Sequence, residues 1–592
     1  MKHSIRQNIF AIQYLFSFSH IFVVLSASTA LFAAIPPVLT KLLIKWVLDD
    51  LEKGNFSVFS TLFCISCFIL GYEILNALLT HLFIPLFRQK VYNLILENLL
   101  QKASMIDLCC FDNPRIYQNI AWTKNAINLG VFKALDIFCM FITNITKLVF
   151  ISVLFVNVST IYMLFALVAF FIIYFFNVIS SDLSVKKTRE TAESDRVANY
   201  CHKVFSSVEY AKEIRLFSIG NVITEKFRQV CEIKSATAKK YLRKIGLLSF
   251  LQVTIPGYFV SEFCLAVVLG YQIIVQGTGS IGDFTMIYSG INSILASLFA
   301  IIGPVMQGLS NASVGIEQIR EFININVSIK DGNSRPVGME HKLDIENLCF
   351  SYTDGGRQVF ENLCMSIPPR AKVAIVGANG SGKSTLVKLL MRLYDANTGS
   401  IKLDETIICN YSVSEYRSIF SCVFQDFQAY ALSIGSNIAM SSDWEEAQMA
   451  SAIACAGLRV TDGVTAQSQM LKLFDADGVI LSGGQLQKMV LARLLYRTGD
   501  ILIMDEPSAS LDPISEYVFN KRVTETFFGK TIILITHRLS ATKDADIIFF
   551  LKDGRVIESG THSALINLGG EYAAMWTAQA QRFRSQSNQE AL

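Results

Sequence analysis

Along the first 320 residues the apolar positions come in long unbroken runs, and after that they come in short ones. Stretches of ~20 apolar residues, enough to cross a bilayer, fall at about 16–40, 57–85, 130–156, 160–180, 246–275 and 284–306. Each predicts a membrane-spanning helix. Tyr14 to Thr40 holds no Asp, Glu, Lys or Arg, and a run of that length reads as a span, not a signal peptide, despite Lys2 and Arg6 ahead of it. Beyond residue 342 the apolar runs shrink to Ala371–Val376 and Ile501–Met504, set between glycine turns and amphipathic stretches. That pattern predicts an α/β domain with parallel strands. The expected organisation is a helical membrane domain of six spans over 1–320, a polar Gly/Pro-bearing linker over 321–341 and a soluble domain over 342–592.

Composition agrees, since 52% hydrophobic and 17% charged residues in a 592-residue chain lie outside the soluble range. A net charge of +3 is too small to imply a nucleic-acid partner. Lys and Arg crowd into Ser180–Lys244 and Arg88–Lys124, while Asn157–Thr160 and Gln276–Gly282 carry none. Basic loops mark the cytoplasmic side, which places both termini and the soluble domain there. The two basic loops are too long for turns, so their flanking helices are expected to run on into the cytosol. Short segments around Cys110–Tyr117 and Glu209–Ser218 would then lie at the tips, placed to touch the soluble domain. Thirteen cysteines follow no repeating spacing, and Cys64 and Cys67 read as thiols on a membrane helix.

The chemistry begins at Gly377-Ala-Asn-Gly-Ser-Gly-Lys-Ser384, a Gly-x4-Gly-Lys-Ser loop directly after an apolar strand. Glycines at 377, 380 and 382 let backbone N–H groups approach phosphates, with Asn379, Ser381 and Thr385 completing the loop and its helix start. Lys383 would reach the β/γ-phosphates and the Ser384 hydroxyl would ligate Mg²⁺. A second apolar strand ends in Asp505-Glu506. Asp505 is placed to hold Mg²⁺ and Glu506 to polarise the water that attacks the γ-phosphate. ATP and Mg²⁺ are thus the expected small molecules.

Between these motifs lies Leu481-Ser-Gly-Gly-Gln485, followed by a helical stretch. With it the chain resembles the ATP-binding cassette (ABC) superfamily, and the resemblance extends to Tyr352, to Gln425 in Val423–Phe427, to Ser510-Leu-Asp512 and to His537. It implies that Tyr352 stacks on adenine, that Gln425 contacts Mg²⁺ and water, and that His537 contacts the γ-phosphate. It also implies that Ser482, Gly483, Gly484 and Gln485 complete the ATP site of an opposite subunit. One departure stands before this pentapeptide. In Phe474–Ile480 the position where exporters of the family carry a glutamate is Ala476, between Asp475 and Asp477.

The membrane half is similar to bacterial exporter-type half-transporters for peptides, lipids or drugs, through Phe111–Pro114 and Lys212–Phe217. No papain-like peptidase precedes the first span, so leader cleavage is not expected. The resemblance implies an ATPase that drives export from a homodimer, or from a pair with a related half-transporter, by alternating access in membrane lipid. An importer on the same fold and an ATP-gated sensor are the rival expectations. Glu73, Lys147 and Glu262 fall within predicted spans, where a lipid-facing charge costs at least ~2.5 kcal/mol. A neutralised Glu–Lys pair would leave one carboxylate per subunit, favouring a cationic or amphipathic peptide as cargo.

Overall fold

The computed structural model describes residues 2–52, 59–112, 124–154, 160–255, 263, 265–274, 280–326, 328–352, 356–458, 465–497, 499–506, 523 and 525–589. These divide into two compact units, Met1–Met105 with Pro114–Ile325, and Ile106–Asn113 with Asn326–Leu592. The second unit is therefore discontinuous in sequence. It takes in a short piece of chain that the hydrophobic pattern places between two spans.

The first unit is helical. Five helical stretches are long and apolar enough to cross a membrane among the described residues: His20–Glu52, Leu62–Met105, Lys124–Val153, Leu167–Thr188 and Ile281–Ile323. The expected span at 246–275 runs across undescribed residues. The expected run 16–40 is not one helix. A helix over Lys2–Phe18 ends before Ser19, whose hydroxyl caps the next helix, His20–Phe32, by accepting from Phe22 N–H at 3.2 Å. The following helix, Ile35–Glu52, starts with Pro36 and Pro37 in its first turn, where a missing N–H costs nothing.

Thr160–Ser206 is one helix of 47 residues, about 70 Å at 1.5 Å per residue. It pairs with Gly220–Val253 through charged side chains: Lys234 lies 2.5 Å from Asp195 and Tyr241 donates to Glu190 at 2.5 Å. The polar stretch between the predicted spans is thus formed largely by its flanking helices running on through it. At the other end of the chain segment, Gly130 in a widened turn over Ile127–Phe132 meets Gly315 on the helix Met306–Ile323. A Cβ on Gly130 would come within 2.8 Å of the Ile316 nitrogen, so the two backbones touch where only glycine fits.

Among the described residues the second unit carries ten strands: β1 (Leu343–Phe350), β2 (Phe360–Ile367), β3 (Lys372–Gly377), β4 (Thr398–Leu403), β5 (Thr406–Ile407), β6 (Phe420–Val423), β7 (Ile501–Asp505), β8 (Thr531–Ile535), β9 (Ile547–Lys552) and β10 (Arg555–Gly560). They form a six-stranded sheet, ordered β10-β9-β3-β8-β7-β6, and a separate four-stranded antiparallel sheet, β2-β1-β4-β5. The larger sheet is parallel except for β10 against β9. Successive strand residues face opposite ways, and the core follows that alternation. Ile501, Ile503, Ile533 and Ile535 enter one apolar cluster, and Leu502, Met504, Ile532 and Leu534 enter another on the other face. Covered on both sides, β7 and β8 are buried at every position, which explains their uninterrupted apolar runs.

Candidate nucleotide-hydrolysis site

The carboxyl ends of β3 and β7 lie in the same sheet, separated by β8, and deliver the loop after β3 and the acids after β7 to one place. A cavity of about 710 Å³ is lined there by Gly377, Ala378, Asn379, Gly380, Gly382, Lys383, Ser384 and Thr385, together with Gln425, Glu506 and His537. Ser381 is buried and does not line it. Gly382 stands just before the helix Lys383–Leu390 at φ 104°, and a Cβ there would meet the Phe360 ring at 2.7 Å. Only glycine supports that turn. The Lys383 ammonium donates to the Gly377 and Ala378 carbonyls, both at 2.9 Å, and burial lowers its pKa.

Two neighbouring acids have different surroundings. Asp505 is buried, and burial pushes its pKa up while the Ser384 hydroxyl pulls it down. Its Oδ1 has no hydrogen-bond partner. Glu506 adopts φ 49° and donates its N–H to Ile535 at 2.9 Å. That backbone costs ~1–2 kcal/mol in a residue with a Cβ, and it turns the side chain into the cavity. Gln425 donates to one carboxylate oxygen at 3.2 Å, and His537 Nδ1 lies 3.1 Å from the other. The residues expected separately at water and at phosphate are thus joined through Glu506.

Tyr352 does not line the cavity. Its hydroxyl is 2.9 Å from Thr385 Oγ1, and its ring stands edge-on to Tyr394 at 5.3 Å. Ser482, Gly483 and Gly484 lie away from this cavity as well, exposed at the start of the helix Gly483–Tyr496, where Ser482 accepts from Gln485 N–H at 3.4 Å. Nothing lies within 4 Å of a Cβ built on either glycine. Asp512 and Ser510 fall outside the described residues. In Phe474–Ile480, Ala476 sits in a tight turn: Asp477 N–H donates to Asp475 Oδ1 at 3.0 Å and Gly478 N–H to the Asp475 carbonyl at 3.1 Å.

Three further residues line the cavity that no motif announced: Val359, Met575 and Gln579. The last two come from the helix Glu571–Gln589. Outside the cavity, Asp107 in Ile106–Asn113 is buried and accepts from the Ser328 hydroxyl at 2.8 Å and from the N–H groups of Ser328 and Ile329. Tyr394 donates to Asp112 at 2.5 Å.

A cavity with this loop, these two acids and this exposed pentapeptide defines an ABC-type ATPase. The ABC transporter family profile matches residues 360–509. The chain is 27% identical over 494 residues to the subtilin transport ATP-binding protein SpaT of Bacillus subtilis, covering 80% of this chain and 78% of that one. It is 31% identical over 336 residues to the ATP-dependent lipid A-core flippase of Burkholderia pseudomallei, an alignment that spans 55% of either chain. A solved bacterial Atm1-family ABC exporter with ATP bound shares the fold at a TM-score of 0.75 and 21% identity, covering 97% of this chain and 98% of that one. Residues 360–509 thus carry an ABC transporter domain, and the chain shares the fold of an ABC exporter.

Proposed function

We propose that this chain is a half-transporter that hydrolyses ATP to drive export, two copies closing around two nucleotides to open the membrane halves outward and resetting after hydrolysis. One observation carries the reading: Glu506, at the end of a buried strand, is held between Gln425 and His537 on the wall of the cavity that the Gly377–Thr385 loop lines. In that position the carboxylate can take the proton of an attacking water. Lys383 and the backbone N–H groups of the loop would hold the phosphates. The residues fit Mg²⁺, because buried Asp505 keeps an unpartnered oxygen beside Ser384, and Ser384, Asp505 and Gln425 would hold the ion. Bound there, it would neutralise phosphate charge during transfer. Ser482, Gly483, Gly484 and Gln485 are free to serve a second copy, as is Asp512 by its family position, and Tyr352 would turn to stack on adenine. The second copy need not be identical, since a related half-transporter presents the same pentapeptide.

The chain lies in the bacterial cytoplasmic membrane with the N-terminus and the ATPase on the cytosolic side, a reading supported by the basic loops. The cargo is a peptide or an amphipathic small molecule, in keeping with the subtilin transport relative. For its charge, the expected neutral Glu–Lys pair is not seen among the described residues. Lys147 has no carboxylate within ion-pair distance there. Glu73 is exposed in the single chain, and Glu262 falls outside the described residues. Among the described residues, Glu73 is the carboxylate on which a cationic cargo would rest.

The test is ATP-dependent cargo uptake into inverted vesicles holding the purified protein. Uptake supports export. Release from preloaded vesicles would mark an importer, and ATP hydrolysis without movement of any of a peptide, lipid and drug panel would mark a sensor.

A further inference from the structure

The helix Glu571–Gln589 is tied to the site at more points than packing alone requires. Its first turn is held by Glu558, whose carboxylate accepts from Glu571 N–H at 2.6 Å and Tyr572 N–H at 3.1 Å. Tyr572 is fully buried, with its hydroxyl 2.9 Å from Thr542 Oγ1 and 2.8 Å from His562 Nδ1. Trp576, one turn on, sets its ring 4.4 Å from that of His562. These contacts anchor the helix and account for its stability.

Gln579 does something else. It lies seven residues after Tyr572, on the same helix face, and both ends of its amide are used on the strand-to-helix connection after β8. Its Nε2 donates to the His537 carbonyl at 2.6 Å and its Oε1 accepts from Leu539 N–H at 3.0 Å. The partners fix the orientation of the amide, since only the nitrogen can donate to a carbonyl and only the oxygen can accept from an N–H. One side chain thus brackets the backbone of His537, whose ring faces the Glu506 carboxylate at 3.1 Å.

We infer that Gln579 is a positioning residue for hydrolysis, acting through His537, and that the C-terminal helix belongs to the catalytic apparatus instead of merely closing the fold. The inference rests on the ATPase reading above. Without the bracket the His537 backbone is free to shift, and a displacement of ~1 Å at a reacting site can cost ~10²-fold in rate. ATP binding, which the Gly377–Thr385 loop would carry, is left in place.

The experiment is a double-mutant cycle in the full-length reconstituted protein, using Gln579→Met and His537→Ala, each alone and together. Steady-state kcat and KM for ATP are read with thermal unfolding of each variant. Methionine keeps the length of glutamine and removes both hydrogen bonds. The expected result is a loss in kcat of about 10- to 100-fold for Gln579→Met, with KM and unfolding temperature close to wild type. In the His537→Ala background the same substitution should cost nothing further. Gln579→Glu, which keeps the acceptor for Leu539 and loses the donor, should fall between the two. Losses that multiply in the double variant would overturn the inference, because Gln579 would then act independently of His537. A raised KM with unchanged kcat would also overturn it, showing a direct nucleotide contact, as would a loss that merely follows a lowered unfolding temperature in both Gln579 variants. Wild-type turnover is measured first, and its absence would overturn the ATPase reading and this inference together, whereas the other outcomes reject this one alone.

Discussion

In β7 and β8 every residue is buried, whereas the helix Phe59–Leu78 turns Phe63, Phe68, Leu70, Ile74 and Leu75 outward, each more than half exposed. The same residue types serve two solvents. In the second unit, burial of an Ile or Leu side chain is worth ~1.5–3 kcal/mol, and strand register then fixes where Asp505 and Glu506 emerge. In the first unit the lipid is as apolar as the side chains, so association rests on close backbone approach and a few polar bonds. Gly130 against Gly315 is one such approach, and Lys45 to Asp283 at 2.7 Å is one such bond. The comparison separates changes that should stop chemistry from those that should loosen packing.

The largest expected effect is chemical. Glu506→Gln should keep ATP binding and lose ~10²–10⁴-fold in turnover, measured as steady-state phosphate release beside nucleotide binding; near-normal hydrolysis would remove Glu506 as the base. Next is complementation between copies. Because the pentapeptide does not line its own chain's cavity, mixing Lys383→Ala with Ser482→Arg subunits should give mixed dimers with one doubly damaged and one intact site. Their ATPase activity should exceed that of either parent, and a mixture no better than the parents would contradict the two-site arrangement.

Smaller effects are expected in the membrane half. Gly130→Ala places a methyl group against backbone and should cost about 1–3 kcal/mol, seen as a lower unfolding temperature in detergent. Gly71→Ala, with nothing within 4 Å of the added carbon, should leave it unchanged. Equal behaviour of the two would mean that the helices do not meet at Gly130. The smallest effect is Glu73→Gln, expected to weaken stimulation of ATPase by a cationic peptide more than by a neutral analogue. An unchanged preference would make Glu73 a structural acid.

The phosphate loop, the strand before it and the paired acids after β7 were legible because each is local: glycines at fixed spacing and carboxylates at a strand end. The four-stranded antiparallel sheet was not, since β1 pairs both β2 and β4 and register shifts interrupt the alternation along it. Gln579 was missed for a related reason. It meets His537 across 42 residues, and the only sequence sign was a polar residue on the helix face that carries Tyr572 and Trp576. The break at Ser19 was present in the sequence as a capping residue, but an apolar run hides caps when hydrophobicity alone is scanned. Glu506 illustrates the opposite case, where the motif named the residue but nothing in it foretold a left-handed backbone.

The discontinuous second unit has a consequence for how the chain is made. Asp107 leaves the ribosome 221 residues before Ser328, the residue it holds, and synthesis runs at ~5–20 residues per second. Ile106–Asn113 must therefore wait for seconds, flanked by segments already threading into the bilayer, until its partners emerge. During that interval the Asp107 carboxylate and Cys109, which later packs on the apolar core of this unit, are open to other contacts. A chain begun at Asn326 would never receive them, leaving the N–H groups of Ser328 and Ile329 without their acceptor. Biogenesis of the ATPase is in this sense finished only when the membrane half has already been laid down.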